Sequence, residues 1–175
     1  PDLCNIIDGK EVNHGEVPWQ VGLRTRAGTN FCGATLINKN WIISAAHCIT
    51  DRYTSKLNKR PGDVFAAVGW HKKSGTASNI TKEGRRLGQD FIPIQRYIVH
   101  ERWDVNNLHY DIALMKLKRP VKYARGRSTG KFADTYKSLV KPVCLPSPKW
   151  ENGIIPYDDP DFTYCMISGW GDTYN

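Results

Sequence analysis

The sequence predicts an all-β fold, and three observations predict it. Short apolar or alternating segments recur through residue 117, each is bounded by Gly, Pro, Asn or Asp, and no stretch sustains a long helical period. The segments are 20–23, 31–37, 41–45, 64–68, 91–99 and 111–117, most of them rich in β-branched or aromatic side chains. Six such strands are enough to close one small barrel, and closure removes exposed sheet edges.

Taken in order, "QVGL" opens the series, and "FCGATLI" and "WIISA" flank Asn38-Lys39-Asn40, a hairpin connection that predicts antiparallel pairing. "VFAAV" and "FIPIQRYIV" follow as apolar runs, and "DIALMKL" closes the set. Residues 118–150 are basic, with four prolines and a single acid, Asp134, and read as a surface connection between modules. After the acidic stretch 151–161 comes "TYCMISGWG", one more strand-like run. An isolated strand leaves its backbone polar groups unpaired, so the expectation is one complete barrel and the first piece of another.

Composition narrows the function classes. Of 175 residues, 40% are hydrophobic and 24% charged, enough to bury a core and unlike a disordered chain. No run approaches the roughly 18 apolar residues of a membrane span. The opening Pro1-Asp2-Leu3-Cys4, with no methionine and no apolar leader, reads as a processed product. Five cysteines (Cys4, Cys32, Cys48, Cys144, Cys165) are dispersed with no CxxC, and no histidine stands at zinc-cage offsets, so neither metal nor cofactor is expected. Dispersed cysteines and the sequon Asn79-Ile80-Thr81 point to secretion into an oxidising, extracellular setting, with Asn79 as the glycosylation site. An odd count means that one cysteine is a free thiol or pairs outside the chain.

The net charge is +8, and residues 51–86 hold nine Lys/Arg against three acids. Lys72, Lys73, Lys82, Arg85 and Arg86 in this stretch are either solvated loop charges or a patch that steers an anionic partner. No RNP-like aromatic run, finger spacing or phosphate-cradling glycine loop accompanies them, so nucleic acid is not the expected partner.

His47 follows the small residues Ser44-Ala45-Ala46 at the end of a predicted strand, with a cysteine next to it that a disulfide could anchor. Such a placement holds an imidazole rigidly, as a general base requires, although a lone histidine is more often packing or surface. Asp111, opening "DIALMKL", offers a carboxylate that could fix the imidazole tautomer, or could simply cap a strand start.

"FCGATLINKNWIISAAHC", "DIALMKL", "VCLP" and "CMISGWG", in this order, resemble the trypsin and chymotrypsin family of serine endopeptidases, and "IIDGKEV" with "PWQVGL" resembles its mature amino terminus. The likeness covers residues 6–171. It implies two six-stranded β-barrels with the active site between them, His47 as general base and acid, and Asp111 as the carboxylate that orients it. On that resemblance residues 1–5 are a tethered propeptide remnant, 6–117 the first barrel, 118–150 an interdomain connection, and 151–175 the start of the second barrel. The family's Gly-Asp-Ser-Gly-Gly stretch occurs nowhere in the chain. The nucleophile is therefore expected on a second chain of the same precursor, which also completes barrel two.

The resemblance further implies the pairs Cys32–Cys48 and Cys4–Cys144, with Cys165 bonded to the partner chain. It places the activation terminus at Ile6, where cleavage frees an amino group that buries itself against a carboxylate. Asn5 stands where such sites usually carry Arg or Lys, and Asn175 ends the chain, so an asparagine-directed protease is one expectation for both cuts. The stretch 68–89, where calcium-binding members place carboxylates, offers mainly Lys and Arg with Glu83 as its acid, and calcium is not expected. Protein substrates and macromolecular inhibitors are the expected partners. The rival expectation is a catalytically inactive homologue that acts as a binding or cofactor module.

Overall fold

The protein is described by a computed structural model covering residues 9–127, 136–146 and 166–171. Six strands, β1 (Gln20–Thr25), β2 (Asn30–Asn38), β3 (Trp41–Ser44), β4 (Val64–Val68), β5 (Asp90–Val99) and β6 (Ala113–Leu117), close into a barrel in the order β1-β2-β3-β6-β5-β4. Every adjacent pair is antiparallel, and β1 against β4 completes the closure. The predicted hairpin forms, with Thr35 opposite Ile43 and Leu36 opposite Ile42. At its tip the Asn40 N–H donates to Asn38 Oδ1 at 2.9 Å.

Alternation along the strands decides what fills the barrel. Val21, Leu23, Leu36, Ile42, Ile92, Ile94, Met115 and Leu117 point inward and are sealed from water. Each such aliphatic side chain contributes roughly 1.5–3 kcal/mol of burial free energy. β4 is buried along its whole length because both of its faces are covered. Val64, Ala66 and Val68 join the main core, whereas Phe65 and Ala67 pack outward with Trp70, Ile80 and Phe91. The rings of Phe65 and Phe91 stack 4.5 Å apart.

Among the described residues, the α-helix α1 (Lys82–Arg86) is a single turn, started by Thr81 Oγ1 accepting the Gly84 N–H at 2.9 Å. No helix among the described residues is long and apolar enough to cross a membrane.

Two strand ends depart from the sequence reading. The run 111–117 pairs only from Ala113, which leaves Asp111 on the loop before β6, and the run 41–45 pairs only to Ser44. The sequence also offers no strand within 118–150, yet β7 (Ala124–Arg127) and β8 (Tyr136–Val140) pair as an antiparallel ribbon. The cause is tertiary packing. Val121, Leu139 and Val140 are buried, and Gly88, at φ +87°, leaves space for Ala124 and Val140: a Cβ there would stand 2.6 Å from Ala124 Cβ and 2.8 Å from Val140 Cγ2. Of "TYCMISGWG", residues 166–171 pair with no strand among the described residues. They are tied to the barrel by Ser168 Oγ donating to Gln20 Oε1 at 2.6 Å and Trp170 Nε1 donating to the His71 carbonyl at 2.8 Å.

Candidate active site

β3 ends in small residues, and the chain turns at once through a 3₁₀ turn at Ala46–Cys48. Ser44 Oγ donates to the Gly33 carbonyl of β2 at 2.7 Å, and Ala46 is fully buried. Cys48 is bonded to Cys32 on β2, so the turn is fixed covalently on the far side of His47. Beneath it, Thr50 Oγ1 donates to the Ala46 carbonyl at 3.0 Å and accepts the Trp103 indole N–H at 3.1 Å.

On this braced turn His47 meets Asp111 at two points. Its backbone N–H donates to Asp111 Oδ1 at 2.8 Å, and its Nδ1 lies 2.6 Å from Oδ2. The carboxylate side chain is 25% exposed and the imidazole 49%. An Nδ1–H held by a carboxylate fixes the tautomer and leaves the Nε2 lone pair as the basic site. Nε2 lies 3.8 Å from Cys48 Sγ, a contact with a disulfide sulfur. Cys32, His47 and Cys48 cluster closely enough to suggest a metal centre, but the two sulfurs are bonded to each other and offer no thiolate.

Two partly exposed carboxylates shape the loops on either side. Asp51 is held below the usual carboxylate range by the Tyr53 backbone N–H and then by the Thr54 hydroxyl. Asp104 is lowered by the Asn106 backbone N–H and then by the Asn107 side-chain amide. Both serve as turn-forming acceptors in segments that flank His47 and Asp111.

The other residues singled out in the sequence lie apart from this pair. Cys144 is exposed and makes no disulfide to a described residue; Cys4, Cys165 and Ile6 lie outside the described residues. Asn79 is exposed in the turn Ala77–Asn79, its Oδ1 accepting the Thr76 N–H at 2.7 Å. Lys72, Lys73, Lys82, Arg85 and Arg86 are all exposed, and Arg86 is bonded to Glu83 through Nε at 2.8 Å. Sequence reading missed Thr50 and Trp103, which support the His47 turn without any motif to mark them. It also missed Arg24, whose guanidinium is fully buried on the outer side of β1.

A sequence model described as Trypsin matches residues 6–175. The chain belongs to the trypsin family. Trypsin-family relatives include Serine protease 1 of Canis lupus familiaris, 33% identical over 172 residues that make up 98% of this chain and 52% of the relative. The Suppressor of tumorigenicity 14 protein homolog of Bos taurus is 31% identical over 170 residues, 96% of this chain and 16% of its own length. Transmembrane protease serine 9 of Rattus norvegicus is 31% identical, with 97% of this chain matching 12% of it. The chain thus spans between 12% and 52% of the length of these trypsin-family proteins.

Proposed function

We propose that this trypsin-family chain is part of a secreted serine endopeptidase that hydrolyses protein substrates through an acyl-enzyme. His47 is the general base and acid, Asp111 orients it, and the serine stands on polypeptide outside these 175 residues, in a second chain joined through Cys165. The observation that carries the proposal is the hold of both Asp111 oxygens on His47, at Nδ1 and at the backbone N–H.

In this scheme, which is the family's own established chemistry, the serine oxygen bonds to the peptide carbonyl carbon while Nε2 takes its proton. The imidazolium then passes that proton to the leaving amine as the C–N bond breaks. Water repeats the sequence on the acyl-enzyme, with Nε2 again as base, and releases the acid. Asp111 stays ionised throughout and stabilises the imidazolium.

Secretion is supported by the Cys32–Cys48 disulfide and by the exposed sequon residue Asn79. The exposed Cys144 is free to pair with Cys4, and cleavage before Ile6 is the proposed activating step. The exposed cations Lys72, Lys73, Lys82 and Arg85 support a secondary attraction for an anionic partner.

The test is an active-site-directed fluorophosphonate applied to the complete, activated protein. Labelling on a serine, lost in His47→Ala with the circular dichroism unchanged, is the expected result, together with a fall of orders of magnitude in amidolysis. No labelling of the wild type would leave the inactive homologue, a binding module, as the function.

A further inference from the structure

The geometry points to His100 and Tyr110 as the residues that position the Asp111 carboxylate, an inference whose kinetic consequence rests on the proposed catalytic reading. Both chain neighbours of Asp111 are tied to His100. The His100 backbone N–H donates to the Ile112 carbonyl at 3.1 Å, and its ring stacks on that of Tyr110 with centroids 4.7 Å apart and planes 12° from parallel. The Ile112 N–H in turn reaches the Tyr110 carbonyl at 2.7 Å, so Asp111 is the apex of a tight three-residue turn.

Tyr110 occupies the left-handed region at φ +55°, which a bulky side chain adopts only where its surroundings impose it. Those surroundings are ring contacts. The Arg102 guanidinium lies 4.7 Å from the Tyr110 ring centroid, and His109 meets the ring edge-on at 6.5 Å. His100 is itself fixed, because its Nδ1 accepts the Arg102 N–H at 3.1 Å and its carbonyl accepts the Trp103 N–H at 3.0 Å. Side-chain stacking therefore holds the backbone turn that aims Asp111 at His47. Its loss lets the carboxylate drift without removing any reacting group.

The experiment uses the complete protein and the variants Tyr110→Ala, Tyr110→Phe, His100→Ala and His100→Phe. Two readouts are taken: kcat and KM on a peptide amide, and the downfield proton resonance of His47 Nδ1. Tyr110→Ala and His100→Ala lower kcat by about tenfold or more with KM little changed, since small misplacements of catalytic groups are costly, and both move the resonance upfield and broaden it. Tyr110→Phe keeps both near wild type, and His100→Phe, which retains the stack but loses the Nδ1 acceptor for Arg102, shows a smaller loss than His100→Ala. The two alanine effects are not additive, because they break one contact. A folded Tyr110→Ala protein with unchanged kcat and an unchanged resonance overturns the inference; should that variant fail to fold, Tyr110→Leu is read in its place by the same criteria. If the wild type shows no turnover, the catalytic reading falls and the resonance alone decides, its change in Tyr110→Ala sustaining the positioning role.

Discussion

Trp103 donates its indole N–H to the buried hydroxyl of Thr50 at 3.1 Å, and Thr50 passes its own hydrogen to the Ala46 carbonyl at 3.0 Å. A residue in the loop that leads to Asp111 thereby supports the turn that carries His47. Replacing Thr50 by Val keeps the shape but strands the buried Trp103 indole donor and leaves the Ala46 carbonyl with the Ile49 N–H alone. The expected cost is about 1–3 kcal/mol in urea unfolding, with Thr50→Ser much nearer wild type.

The disulfide should matter to both stability and catalysis. Cys32 and Cys48 are 16 residues apart, and in the chain-entropy model a loop of that length is worth about 3 kcal/mol. The double change Cys32→Ser with Cys48→Ser is expected to lower the denaturant midpoint and to reduce kcat, because one end of the His47 turn comes loose. Equal kcat in the folded variant would show that the noncovalent supports suffice.

Acid should loosen the loops that flank His47 and Asp111. Asp51 and Asp104 have folded-state pKa values below their ordinary ones, so the unfolded chain binds protons more readily than the folded chain does. Their contribution is fully present above an unfolded carboxylate value of about 3.9 and is lost as pH falls through the lower folded values. The Tm of the wild type should therefore drop more steeply below about pH 4 than that of an Asp51→Asn, Asp104→Asn double variant, as scanning calorimetry would show.

Arg24 makes a different prediction. Its guanidinium donates to the carbonyls of Lys72 at 2.6 Å and Gly75 at 3.0 Å, and lies 4.4 Å from the Trp70 ring centroid. Burial pushes its pKa down to about 10, a shift that counts against folding at neutral pH, where the group remains charged. The two charge-assisted hydrogen bonds and the indole face offset that cost. Arg24→Met leaves both carbonyls without this donor, and limited proteolysis should then cut near residues 72–75 faster than in the wild type.

Much of the fold was legible because strand signals are local. A period of two in "ALMKL", a turn at Asn38-Lys39-Asn40 and unbroken apolar runs such as "VFAAV" each depend on a few neighbours in sequence. β7 and β8 were not legible, because Val140 packs against Gly88 and Gly69 and Leu139 against Gly15, all about 50 residues or more away, and their own segment reads as basic connection. Asp111 was picked out, but at the start of a strand rather than on the turn before it.

The sequence by itself determined the all-β class and the six barrel segments, since residue type and periodicity are written residue by residue, and its resemblance to the family singled out His47 and Asp111 as candidates. Only the tertiary structure decided that Asp111 meets His47 with both oxygens, that Thr50 and Trp103 support the turn between them, and that His100 stacks on Tyr110 beside the carboxylate. These contacts join loops up to 64 residues apart, and their geometry follows from barrel closure and burial, which no single segment encodes.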